Sequence, residues 1–96
     1  MELFIFARFH ARAGPEIDVR RAIETVVLET GKEAGCLSIA MFGSIGDPRL
    51  FFIHSRWCDE AAFEAHAGLP HTVAFVDEVT PLIEHKLDVV RTRQIS

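Results

Sequence analysis

The pattern of periodicities predicts an α+β fold, a four-stranded antiparallel sheet with helices on one face. Three observations carry that reading. Both ends of the chain alternate with period two, as strands do. Two interior stretches repeat apolar residues every three to four positions, as helices do. Between them, two more strand-like runs are joined by a link short enough for a hairpin.

Residues Glu2–Arg12 place Leu3, Ile5, Ala7, Phe9 and Ala11 on one face, and Phe4, Phe6, Arg8, His10 and Arg12 on the other. Gly14-Pro15 breaks the pattern, Pro15 being suited to a first helical turn. From Glu16 to about Lys32 the spacing is helical. Val19, Ile23, Val26, Val27 and Thr30 form the apolar stripe, Asp18, Arg21, Glu24 and Glu29 face water, and Gly31 and Gly35 mark the end. Leu37–Gly43 and Leu50–Trp57 read as strands around a Gly46-Asp47-Pro48 turn. Asp59 is a good N-cap for a short helix, Glu60–Ala67, which Gly68 stops. Pro70 opens a further helix to about His85, with Phe75, Val76, Val79 and Ile83 as its apolar set and a break or kink expected at Pro81. Lys86–Ile95 returns to alternation, with Leu87, Val89 and Ile95 on one face.

The order β-α-β-β-α-(α)-β is the split βαβ, or ferredoxin-like, arrangement. Its helices cover one face of the sheet, yet the first strand is apolar on both faces at one end. A sheet of that kind must be covered on both faces. Two sheets from two copies packed face to face satisfy this, so a homodimer is expected.

Composition bounds the rest. A chain of 96 residues is the length of one domain, 1–96, and 49% hydrophobic with 25% charged residues is ordinary globular material. A mean hydropathy of +0.19 is high for so small a domain and again points to self-association. The net charge of −4, with no Lys/Arg cluster, argues against nucleic acid as a partner. No apolar run reaches the ~18–20 residues that cross a bilayer, so no membrane partner is expected. The first residues lack the basic and small-residue features of a secretory signal, and Cys36 and Cys58 form no CxxC, so a cytoplasmic, reducing location is expected.

Several runs of residues carry a resemblance. They are Ala7-Arg8-Phe9-His10-Ala11 with Gly14, Glu33-Ala34-Gly35-Cys36-Leu37-Ser38, Trp57 with Asp59-Glu60-Ala61-Ala62-Phe63-Glu64-Ala65-His66, and Pro70-His71 with Phe75. In order and spacing, over nearly the whole chain, these resemble the antibiotic-biosynthesis-monooxygenase family of dimeric α+β barrels, which includes small quinol monooxygenase-like proteins. The resemblance implies a cofactor-independent oxygenase acting with O2 on an electron-rich phenol, quinol or anthrone. Such chemistry needs an apolar cavity, a base to remove a phenolic or enolic proton, and donors to hold the anion. Two departures stand out. Ser55 occupies a place where family members commonly carry an acidic residue, and the chain has no Tyr. It also has no Asn, and His66 stands where a related haem-degrading group has its Trp, so haem degradation is not the leading reading.

Among single residues, His66 follows Phe63 on the side of its helix that must face the sheet, and an imidazole is the natural base near neutral pH. It is the candidate catalytic residue; a histidine satisfied by a backbone carbonyl is the plain alternative. Trp57 is either a pocket wall and donor or a core Trp closing the sheet. Phe51, Phe63 and Phe75 are expected to line the cavity, with His71 as an outer polar group or a surface residue at a helix start. His66 and His71 are five apart with Gly68 and Pro70 between them, which does not put both on one helical face, so no metal is expected. His10, Arg8 and His54 read as hydrogen-bonding groups of the interface, and the cysteines as small hydrophobes. Two other functions use the same features: an isomerase or small-metabolite-processing enzyme, and a non-catalytic dimeric binding protein.

Overall fold

The computed structural model describes every residue from Met1 to Ser96. Four strands, β1 (Leu3–His10), β2 (Cys36–Gly43), β3 (Leu50–Trp57) and β4 (Asp88–Thr92), form one sheet in the order β2-β3-β1-β4, each neighbouring pair antiparallel. Helices α1 (Glu16–Thr30), α2 (Glu60–Ala67) and α3 (Pro70–Val79) connect them, and a single 3-10 turn, Thr80–Leu82, follows α3. This is the ferredoxin-like α+β fold, and no helix is long and apolar enough to cross a membrane.

The core sits where the alternation of β1 meets the stripe of α1. Ala7, Phe9 and Ala11 are buried against Val19, Ala22, Ile23 and Val26, with Phe75 and Val79 of α3 completing the layer. Phe9 and Phe75 meet edge to face at 5.6 Å, a favoured aromatic geometry. The turn from β1 into α1 depends on Gly14, whose φ of +114° is a conformation that side chains other than glycine rarely adopt. Glu16 then accepts from the Gly14 N–H, and with Asp18 places negative charge in the first turn of α1.

The largest differences from the boundaries read in the sequence lie in the last third of the chain, around the break expected at Pro81. The helical stretch from Pro70 does not reach His85. Pro81 lacks an N–H and restricts the residue before it, so α3 gives way to the short turn. Ile83 is extended, fully buried and bridged to Ala11, rather than one of the apolar residues of a helix. The last strand is only Asp88–Thr92, because β1 offers it partners no further than Phe4–Arg8; Ile95 lies outside it and is exposed. Near the start of β2 the register shifts between Cys36 and Ser38, which leaves Leu37 half-exposed.

The second face of the sheet, which also carries Arg8, Arg56 and Asp88, exposes a group of apolar side chains that nothing in the chain covers. Phe6, Phe42 and Val90 are 52%, 52% and 50% exposed and Phe52 is 37% exposed. His54 stacks at 4.5 Å on Phe6, and its Nδ1 lies 3.0 Å from the carbonyl oxygen of Ile5, to which it donates.

Candidate active site

Cys36 begins β2 opposite Trp57 at the end of β3, so the loop after α1, which carries Glu33, runs past the β3–α2 corner. Gly35 makes that passage possible. A Cβ there would lie 2.5 Å from Ala62 Cβ in α2. Asp59 caps α2 by accepting from the Ala62 N–H at 2.8 Å, which sets the rotation that turns Phe63 and His66 inward. Trp57 lies beneath them, almost fully buried. Its ring centroid is 4.7 Å from that of His66 and 5.5 Å from that of Phe63.

The polar centre is a carboxylate shared by two histidines. Glu33 Oε2 lies 2.7 Å from His66 Nδ1 and 2.8 Å from His71 Nε2, and Thr72 Oγ1 is 3.2 Å from the same His66 nitrogen. A carboxylate only accepts, so both of these ring nitrogens carry hydrogen. In a neutral His66 the lone pair is therefore on Nε2. The cluster is mostly shielded, with side-chain exposures of 15% for Glu33, 12% for His66 and 25% for His71. Burial raises the pKa of the nearby Cys36 thiol, and the Glu33 charge pushes it the same way, so that cysteine is no activated nucleophile.

His66 and Thr72 open onto a pocket of about 310 Å³ between the sheet and the helices. Its walls are apolar, chiefly Phe9, Ile39, Ile53, Phe63, Phe75 and Val89. Thr30, also in the lining, is fully buried and its hydroxyl has no hydrogen-bond partner. At the rim Arg91 of β4 reaches Glu60 at 2.9 Å and also Glu64, both of α2, and lies over the Phe63 ring at 5.1 Å. The hydrogen bonds from Glu64 and Glu60 hold the Arg91 pKa above its ordinary value.

The residues singled out in the sequence divide into three groups. His66, Phe63 and Phe75 line the pocket. Trp57 and His71 stand behind it, Trp57 as a floor under the imidazole and His71 as the second donor to Glu33. The Trp57 N–H is not offered to the pocket: it donates to Ser55 Oγ at 3.0 Å, giving Ser55 a role as acceptor on the pocket wall. Phe51 is a correction. Although it pairs with the pocket-lining Phe9, Phe51 is buried in the core layer and does not line this pocket. Alternation fixes the face of a residue but not whether it borders a cavity or packs into the core. His66 and His71 do not share a helical face, as their spacing implies, but the break between α2 and α3 lets two helices deliver them to one oxygen.

Glu33, Thr30, Thr72 and Arg91 were not foreseen. Glu33 lies within one of the runs that carry the resemblance, but its partners are 33 and 38 residues away and no local pattern marks it. His10, on the uncovered face, is held within the chain by Asp47 at 3.0 Å and Glu84 at 3.1 Å.

The sequence profile of the family described as antibiotic biosynthesis monooxygenase matches residues 3–78. A Bacillus subtilis (strain 168) protein named "Putative monooxygenase YcnE" is 32% identical over 69 residues, which are 72% of this chain and 73% of that protein. The chain therefore belongs to the antibiotic biosynthesis monooxygenase family. Solved structures share the fold. Rv0793 from Mycobacterium tuberculosis superposes with a TM-score of 0.94 at 21% identity, covering 100% of this chain and 97% of that one. PA3566 from Pseudomonas aeruginosa gives 0.91 at 24% identity, covering 99% and 95%.

Proposed function

We propose that this protein is a cofactor-independent monooxygenase that oxidises a small quinol, phenol or anthrone with O2, and that His66 is its general base. The observation that carries this reading is the Glu33–His66 pair at the pocket wall, which leaves the Nε2 lone pair of a neutral ring free of any protein donor. Family membership supports the class of reaction. The chemistry is complete without a further reductant. Nε2 takes a phenolic or enolic proton, and the anion passes electrons to dioxygen. One oxygen atom ends in the product and the other leaves as water, the substrate having supplied all four electrons. Apolar walls favour a flat, mostly apolar substrate, and a pocket of about 310 Å³ is at the small end of the ~300–1,000 Å³ range of ligand sites. The unpartnered Thr30 hydroxyl supports a second oxygen on the substrate, away from the one deprotonated at His66.

The uncovered aromatic face of the sheet supports a homodimer joined sheet to sheet, and two unpaired cysteines suit a reducing cytoplasm. The competing isomerase reading draws support from the same cluster, since a carboxylate between two imidazoles suits a group that takes a proton and returns it. Oxygen separates the two. Chelator-treated protein should consume O2 with one member of a quinol and anthrone panel, and His66→Ala should lower the rate ~10²–10⁴-fold. Turnover without oxygen consumption would favour the isomerase. Ligand affinity with no turnover, indifferent to His66, would favour a binding protein.

A further inference from the structure

Two imidazole nitrogens and a carboxylate oxygen that lie within 4.8 Å of one another form a set of donors as well as a hydrogen-bonded cluster. We propose that Glu33, His66 and His71 bind one divalent transition-metal ion of the zinc or cobalt kind, and that the ion switches off the base at His66.

The donor chemistry selects the class of ion. Imidazole nitrogens suit zinc, cobalt, nickel and iron, whereas magnesium and calcium take oxygen ligands. Two of the three donor pairs are close to what such an ion needs, and the third, between the two imidazole nitrogens, lies within 4.8 Å. Bonds of ~2.0–2.1 Å in a tetrahedral site put neighbouring donor atoms ~3.3 Å apart. The two nitrogen–oxygen contacts, now 2.7 and 2.8 Å, would each open by about half an ångström on that geometry. Glu33 can give that distance because it lies between α1 and β2, outside any helix or strand. His66 need not move, held as it is between Trp57 and Phe63. Partial burial excludes competing water, while His71, the most exposed of the three, leaves a route for loading.

The consequence for His66 follows from its tautomer. An ion on Nδ1 displaces the hydrogen now shared with Glu33, and the neutral ring then carries its hydrogen on Nε2. The pocket would meet a donor instead of a lone pair. Binding of the ion does not depend on the oxygenase reading, so each can fail alone.

Cobalt(II) is the probe. Chelator-treated protein titrated with Co2+ should develop the visible bands of a low-coordinate site, saturating at one ion per chain, and Zn2+ should abolish them by displacement. Zn2+ should also raise the melting temperature. Glu33→Gln and His71→Ala should each weaken Co2+ binding at least ~100-fold, since even the outer partners of metal ligands contribute ~10–100-fold. His85→Gln, remote from the cluster, should leave it unchanged. Circular dichroism of each variant verifies its fold, and Glu33→Gln keeps the shape of the side chain if His71→Ala fails to fold. Absence of the bands with wild-type protein overturns the proposal, and so does binding that both cluster variants retain.

Discussion

Thr30 is the last residue of α1 and is fully buried, yet its hydroxyl has no partner. A buried polar group in that state costs ~1–3 kcal/mol, so it is retained against stability. If it serves a substrate oxygen, Thr30→Val should raise the urea midpoint of unfolding while raising KM several-fold, with a smaller effect on kcat. A lower midpoint would show that the hydroxyl is satisfied within the folded chain. The sequence reading placed Thr30 on the apolar stripe, which is where it lies, but periodicity says nothing about whether a hydroxyl finds a partner. The same limit applies to Glu33. Its burial and both of its histidines come from long-range packing, whereas His66 was legible from its spacing to Phe63 on a helix that must face the sheet.

Helix α2 carries half of the site without a single fully buried residue. Its position rests on the Asp59 cap, the Trp57–Phe63–His66 stack and the Arg91 bridge to Glu60 and Glu64. The tightest neighbour is Gly35, where a methyl group would meet Ala62 Cβ, an atom with no rotamer to move aside. Gly35→Ala should therefore cost ~1–3 kcal/mol, the range of overpacking, and displace His66 from Glu33. Urea unfolding measures the first effect; histidine ring NMR shifts report the second. An unchanged stability would mean that α2 slides freely over the loop. Element boundaries were legible where a side chain enforces them, as at Asp59 and Pro81. They were illegible where a neighbour does, as at Ile83, whose extended backbone is set by its bridge to Ala11. Gly35 itself reads in the sequence as a helix-end marker, and its close approach to α2 is visible only in three dimensions.

At the scale of the whole molecule, the fold was the most legible feature, because two periods and one hairpin link leave few arrangements of four strands and their helices. The same alternation that buries Ala7 and Phe9 under α1 and α3 turns Phe4 and Phe6 outward, where they join Phe42, Phe52 and Val90. A protein of this size rarely leaves so apolar a face to water. Light scattering should give twice the chain mass for the wild type. Phe6→Glu with Phe42→Glu should give a folded monomer, since two buried, unpaired carboxylates oppose the interface. A monomeric wild type would remove the homodimer.

In the proposed reaction His66, aimed by Glu33, creates the substrate anion that dioxygen then meets. Anaerobic mixing tests it most directly, because deprotonation is then observed without oxidation. With a quinol or anthrone that the wild type turns over, the anion's absorbance should appear on mixing in the absence of O2. It should decay only when O2 is admitted. His66→Ala should form no anion, and Glu33→Gln should form it more slowly. An anion that forms equally well without His66 would exclude His66 as the base.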